Sequence, residues 1–184
     1  MSVDLIPHPT SGDITDLIAA DHRLFEDLMR DMRDVSADRD GARSAFAALL
    51  IAHSEAEEEV VYPKLVRRDV IEGEEEHHGE KEHAATNEAL LHLLQAKGTD
   101  TQKFDDAVEA VAEVLNHHIG EEEQTILNPA REDASEELRQ QLGADWAARR
   151  NELLEDGAGS LEQVESLVKQ AYEDGLLPND DQPS

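Results

Sequence analysis

The chain of 184 residues contains no cysteine. Disulfide bonds, thiolate metal sites and cysteine-ligated iron–sulfur clusters are therefore excluded. Basic residues are also scarce, because 16 lysines and arginines accompany 44 aspartates and glutamates, and the formal net charge is −28. So acidic a surface repels nucleic acid and anionic membranes, which are polyanions, and we expect neither as a partner.

Long apolar runs are missing as well. None approaches the roughly 20 residues that a membrane-spanning helix needs. A secretory signal has a basic leader followed by an apolar core. The first residues, MSVDLIPHPTSGD, do not show this pattern. We therefore expect a cytoplasmic protein.

Apolar residues recur at steps of three and four, which predicts helices, and the alternation typical of strands is absent. The predicted helices cover about residues 13–35, 42–70, 74–96, 102–127, 135–155 and 160–174. Short connections between the first four favour an up-down-up-down antiparallel four-helix bundle. The predicted fold class is thus all-α, with two additional C-terminal helices. Pro63 should kink the second helix or end its regular part, and Pro129 should close the fourth.

The helix pattern divides the chain into four parts. Residues 1–12 are predicted to be an irregular lead-in, and residues 13–130 form the four-helix bundle. Residues 131–174 are predicted to be a helical appendage that packs on the bundle. Residues 175–184 are polar, with two prolines, and are predicted to be disordered.

Four histidines, one on each predicted bundle helix, are spaced 31, 30 and 35 residues apart: His22, His53, His83 and His118. Two of them begin the phrase His-x-x-x-Glu, which ends at Glu57 and at Glu122, and a spacing of four places both side chains on one helical face. Each pair interrupts the apolar stripe of its helix. A carboxylate there is costly unless it is paired or binds a metal ion, so these six residues are the predicted metal ligands.

Other candidates rank lower. His117 lies beside the apolar stripe, on a face with Glu113, whereas His77 and His78 follow an acidic run and should be exposed. Glu80, three residues before His83, is a possible additional ligand.

Three further polar residues near the motif are assigned other roles. We assign Tyr62 to packing. Asp21 and Glu82 directly precede a histidine, so they should point away from the site into solvent.

Imidazole and carboxylate donors suit iron, manganese or zinc. Six protein ligands are too many for one tetrahedral zinc ion and suit two ions that share carboxylates. The sequence also reads as two similar halves, each with two histidines and one glutamate, which predicts one ion near each half. If an oxide or hydroxide also bridges the ions, roughly two of twelve coordination positions stay open for dioxygen, peroxide or nitric oxide.

Two alternatives remain at this point. A ferritin-like carboxylate site needs Glu-x-x-His on two helices, but only the third helix offers it, as in Glu80–His83. A metal-free network of buried polar groups would also account for the histidines, since a histidine on an apolar face is more often a hydrogen-bonded core residue than a ligand.

The motifs resemble the hemerythrin-like family, or HHE cation-binding domain, over about residues 13–130. The stretch from His53 to Pro63, HSEAEEEVVYP, is close to the family's second-helix phrase, and that from His118 to Pro129 matches with one extra residue. The resemblance implies a non-haem centre of two iron ions, bridged by both glutamates and by an oxide or hydroxide. By matching positions it implies as ligands His22, His53, Glu57, His83, His118 and Glu122.

The sequence departs from the oxygen-carrying members, which have two histidines four residues apart on the third helix. Here Gly79 and Asn87 lie four residues either side of His83. The resemblance then implies a more open site and favours peroxide decomposition or nitric oxide consumption over reversible oxygen carriage. The alternative is an oxygen or iron sensor, or an iron store, without turnover, in which the last two helices transmit a metal-dependent change.

Overall fold

The structure is a computed structural model that describes residues 2–178, and it contains no strand within them. In chain order its α-helices are α1 (Ile14–Arg33), α2 (Arg39–Ala56), α3 (Tyr62–Arg67), α4 (Gly73–Leu94), α5 (Gln102–Glu122), α6 (Asn128–Asp133), α7 (Glu136–Glu155) and α8 (Leu161–Glu173). The all-α prediction is confirmed. The antiparallel bundle consists of α1, α2, α4 and α5, with α1 packed on α2 and α4 on α5.

Polar side chains mark where these helices begin. Asp13 accepts a hydrogen bond from the backbone N–H of Thr15, so it satisfies one of the free donors at the start of α1. Thr101 does the same at the start of α5, and Ser135 at the start of α7.

Both helices that carry a His-x-x-x-Glu phrase widen into a π-helical turn, at Glu57–Val61 and at Glu123–Leu127. Proline has no N–H for the regular helical hydrogen bond, and Pro63 and Pro129 each lie in the first turn of the short helix that follows. The predicted break at Pro63 is therefore a wide turn followed by α3. The prediction that Pro129 closes the fourth helix was wrong, because α6 continues to Asp133.

The two C-terminal helices cover opposite sides of the bundle. Helix α7 packs on α1 and α2, and α8 packs on α4. The N-terminal segment also joins this packing, because Ile6 is buried. Of the tail predicted to be disordered, Leu177 is buried, and residues 179–184 lie outside the described residues.

Within residues 2–178, the length and apolarity needed to cross a membrane are not met by any helix.

Gly143 lies where α7 packs closely against the chain that leads into α1. A Cβ added there would lie 2.0 Å from the carbonyl oxygen of Gly12, whereas a Cβ at Gly120, also inside a helix, would meet nothing within 4 Å. We expect Gly143→Ala to reduce the free energy of unfolding by about 1–3 kcal/mol through overpacking. Gly120→Ala should leave stability unchanged or raise it by up to about 1 kcal/mol. Urea denaturation of both variants measures this, and equal stabilities would contradict the close approach of α7.

Candidate metal centre

All six predicted ligands converge in the interior of the bundle. Each of the four long helices contributes one histidine, and α2 and α5 add a carboxylate where they pass into their π-helical turns. The six side chains belong to residues no more than 5% exposed: His22, His53, Glu57, His83, His118 and Glu122.

The ligand atoms form two compact groups, within each of which they lie no more than 4.8 Å apart. One group is His22, His53 and Glu122, and the other is Glu57, His83 and His118. We call these the first and the second ion position. The two histidines of each half of the chain thus lie in one group, and the glutamate grouped with them comes from the other half.

Both glutamates lie between the two histidine pairs. The Oε1 atom of Glu57 is 3.1 Å from Nε2 of His53, and its Oε2 atom is 3.4 Å from Nε2 of His83. The Oε2 atom of Glu122 is 3.1 Å from Nε2 of His22 and 4.0 Å from Nε2 of His118. Each carboxylate therefore faces both ion positions, which is the placement of a bridging ligand.

The inward-facing atoms fit a cation. Buried polar atoms ordinarily have hydrogen-bond partners, and each one without a partner costs about 1–3 kcal/mol. Besides Nδ1 of His22, six atoms of the predicted ligands are fully buried without a hydrogen bond: Nε2 of His22, His53, His83 and His118, Oε1 of Glu57 and Oε2 of Glu122. They comprise at least one atom of each predicted ligand, and two cations would satisfy them together.

Three of the four imidazoles are fixed by a carboxylate at their other ring nitrogen. Nδ1 of His53 lies 3.2 Å from Asp21, and Nδ1 of His118 lies 3.1 Å from Glu82. Nδ1 of His83 lies 2.7 Å from Glu58. Such a contact holds the hydrogen on Nδ1, which leaves the lone pair of Nε2 directed at the ion position.

The prediction that Asp21 and Glu82 are solvated was wrong for a geometric reason. A residue one position before a histidine is turned about 100° away from it on the helix, so it faces the adjacent helix instead. Asp21 on α1 thus reaches His53 on α2, and Glu82 on α4 reaches His118 on α5. The acidic residue that precedes the single histidine in both halves of the sequence could have indicated this role.

Tyr62 does more than pack. Its hydroxyl lies 3.1 Å from Oε1 of Glu122 and 3.3 Å from Oε2 of Glu57, so it can donate to either carboxylate. The π-helical turn explains this position, because its i to i+5 spacing brings Tyr62 onto the face of Glu57. In the regular α-helical register Tyr62 would instead share a face with Glu58, so the sequence predicted only a packing role.

The ring of Tyr62 also fills the space beside Gly79. A Cβ added to Gly79 would lie 3.0 Å from Cε2 of Tyr62, and Tyr62 is fully buried. The resemblance implied a more open site, because Gly79 and Asn87 lie four residues either side of His83 where a second histidine could stand. On the Gly79 side, the phenol ring of Tyr62 occupies the adjacent space.

The remaining candidates lie at the surface. Glu80 pairs with Nδ1 of His77 at 3.2 Å and its side chain is 37% exposed, so the structure does not bring it to the two groups. The side chains of His78 and His117 are 50% and 70% exposed, and both approach Oε1 of Glu82.

Burial and hydrogen bonding shift the protonation of the histidines in opposite directions. Burial lowers the pKa of His53 to about 4, against the hydrogen bond and charge of Asp21. Burial also lowers the pKa of His118. For His83, burial would lower the pKa, but the nearby carboxylates of Glu57 and Glu58 outweigh it and raise the pKa to about 10.

The central carboxylates and Tyr62 are shifted too. Burial, with the charge of Glu122, raises the pKa of Glu57 well above its usual value. For Glu122, burial would raise the pKa, but the close approach of the His22 imidazole outweighs it and lowers the pKa. Burial and the charges of Glu122 and Glu57 raise the pKa of Tyr62, so its hydroxyl keeps its proton.

Comparison with known proteins agrees with this geometry. Residues 13–130 match the family described as the hemerythrin HHE cation-binding domain. A DNA nickase from Nostoc is 28% identical over 143 residues, which are 76% of this chain and 40% of the nickase. An uncharacterized hemerythrin-like protein from Schizosaccharomyces pombe is 30% identical over 127 residues, which are 67% of this chain and 62% of that protein.

The chain thus spans less than two thirds of the length of both relatives. No solved structure matches it. The matched range contains all four long helices of the bundle and all six converging side chains. On this evidence the chain belongs to the family of hemerythrin HHE cation-binding domains.

Proposed function

We propose that the bundle holds two iron ions, and that the loaded centre binds and reacts with dioxygen, peroxide or nitric oxide. The observation that carries this proposal is the set of six buried nitrogen and oxygen atoms that lack hydrogen bonds and face one another. Imidazole and carboxylate donors suit iron, and two carboxylates placed between two histidine pairs suit a pair of ions. Manganese and zinc are the alternatives that metal analysis distinguishes.

Different residues would have different roles in such a centre. Glu57 and Glu122 would hold the two ions at a fixed separation, and the carboxylates behind the histidines keep each Nε2 directed inward. Iron, when bound, supplies electrons and open coordination positions to a small ligand. The burial of all six ligands excludes bulk water and restricts access to small molecules.

Tyr62 supplies the proton in this proposal. Its raised pKa keeps the hydroxyl protonated, and the hydroxyl lies between the two central carboxylates. A small molecule that gains electrons in the centre needs protons to form stable products, and the hydroxyl of Tyr62 is placed to deliver one. This favours a reaction such as peroxide decomposition or nitric oxide consumption over binding alone.

The alternative is an oxygen or iron sensor, or an iron store, without turnover. The buried contact of α7 with the partner of His53 is the observation that favours it, because a change at the centre could reach α7. Sustained gas evolution from peroxide would favour the enzyme, and tight reversible oxygen binding without turnover would favour the sensor. We do not extend DNA nicking to this chain, since its net charge of −28 disfavours nucleic acid.

The first prediction of this proposal concerns metal content. After anaerobic loading with ferrous iron and desalting, the wild-type protein should hold about two ions per chain, as measured by plasma emission spectrometry. Glu57→Ala and His118→Ala should lose at least one ion, because each removes a buried ligand atom. The control is His117→Ala, whose imidazole is 70% exposed and should keep both ions. Equal loss in His117→Ala and His118→Ala would contradict the assignment.

The second prediction concerns Tyr62. Tyr62→Phe removes the hydroxyl and keeps the ring beside Gly79, so the iron content should stay at that of the wild type. Peroxide consumption by the iron-loaded protein should fall about 10²-fold or more, because a positioned proton donor is lost. Tyr172→Phe, on α8, serves as the matched control and should retain the wild-type rate. Unchanged peroxide consumption in Tyr62→Phe would remove Tyr62 from the reaction.

The third prediction follows from the raised pKa of His83. At neutral pH this imidazole carries a proton, which must leave before Nε2 can bind a cation. The apparent zinc affinity of the second ion position should therefore rise with pH, by about tenfold per pH unit for one released proton, between pH 6.5 and 8.5. Competition with a chelator of known affinity at each pH measures it. His117→Ala should show the same slope, and an affinity independent of pH would contradict the account.

A further inference from the structure

Arg150 links the appended helix α7 to the metal centre. It is fully buried and lies outside the range 13–130 that matches the family. Its Nε and Nη2 atoms donate to the two carboxylate oxygens of Asp21 at 2.6 and 2.8 Å. Its Nη1 atom donates to the carbonyl oxygen of Pro7 at 3.0 Å. One guanidinium therefore joins α7, α1 and the N-terminal segment.

Through Asp21, the contact of Arg150 extends to His53, one of the predicted metal ligands. The same Oδ2 atom of Asp21 that accepts from Arg150 lies 3.2 Å from Nδ1 of His53. One helical turn before Arg150, the ring of Trp146 meets the ring of His53 edge-on, with 5.7 Å between centroids. Helix α7 thus touches His53 directly through Trp146 and indirectly through Asp21.

Among the described residues, only at the first ion position is the carboxylate behind a histidine held by an arginine. At the second position, the carboxylates behind His83 and His118 are Glu58 and Glu82. Within residues 2–178, the ion pairs of Glu58 and Glu82 are with histidines, and no lysine or arginine takes part. The side chains of Glu58 and Glu82 are also more exposed than that of Asp21, at 37% and 10% against 5%.

We infer that Arg150 is a positioning residue of the metal centre: it holds Asp21, Asp21 orients His53, and docking of α7 and cation binding at the first ion position stabilise each other. The inference rests on the proposed function, in that it requires the centre to bind metal ions. Without the guanidinium, the buried carboxylate of Asp21 has neither a counter-charge nor a fixed orientation. His53 then loses the partner that directs its Nε2 at the ion.

We expect a substitution of Arg150 to weaken only one of the two metal-binding steps. Loss of the residue behind a metal-ligating histidine weakens metal affinity by about 10–100-fold. We therefore expect Arg150→Met to weaken one step of a cobalt titration, followed by absorbance, by at least about tenfold, and to leave the other step unchanged. Arg150→Lys keeps the charge but not the two-pronged contact, and should recover part of the affinity.

Two further variants complete the design. Arg149→Met is the matched control, because Arg149 is the neighbour of Arg150 on α7 but pairs with Glu59 at the surface. Both of its binding steps should equal those of the wild type. If Arg150→Met does not fold, the double variant Asp21→Asn/Arg150→Gln removes both charges and leaves no buried charge unpaired. It should show the same weakened step, because an amide is a poorer acceptor than a carboxylate.

Hydrogen exchange tests the reciprocal half of the inference. Since linkage acts equally in both directions, cobalt should slow amide exchange in α7 around residues 146–151 in the wild type, and Arg150→Met should lose this protection. Wild-type protein that binds no cobalt would contradict the proposed function. Wild-type protein that binds two ions, with both steps unchanged or one strengthened in Arg150→Met, would overturn the role of Arg150 alone.

Discussion

Two carboxylates and four imidazoles buried in an apolar bundle are the constraint on which this structure depends. Glu57 and Glu122 are at most 2% exposed, and the ligand atoms around them lack hydrogen bonds. Removing such groups from water is costly unless a partner compensates them. A cation at each histidine pair would supply that partner. Metal binding would then turn six residues that destabilise the bundle into residues that stabilise it.

The surrounding structure is arranged to keep these six side chains in place. Each acidic residue that precedes a single histidine reaches across to the histidine of the next helix, which ties α1 to α2 and α4 to α5. The π-helical turn at Glu57–Val61 brings Tyr62 onto the face of Glu57, where its hydroxyl also reaches Glu122. Helix α7 adds Arg150, which neutralises Asp21 at the first ion position. At the second, Glu58 and Glu82 pair with histidines but with no lysine or arginine among residues 2–178. The two ion positions are therefore electrostatically unequal.

The sequence predicts the bundle and the convergence of its six polar side chains, because a period of 3.6 residues fixes which side chains share a face. It could not reveal contacts that depend on how helices are placed against one another. Asp21 was assigned to solvent because it points away from its neighbour His22, and the sequence does not show that His53 on another helix lies in that direction. The role of Arg150 could not be predicted, because its partner Asp21 lies 129 residues before it. Tyr62 was misjudged because a π-helical turn changes the local period.

Anomalous diffraction at the iron edge, from crystals of the anaerobically loaded protein, tests the central claim most directly. The account requires two peaks, one beside His22 and His53 and the other beside His83 and His118, about 3.5 Å apart and both within ligand distance of Glu57 and Glu122. A single peak, or iron bound only at exposed residues such as His117, would contradict it.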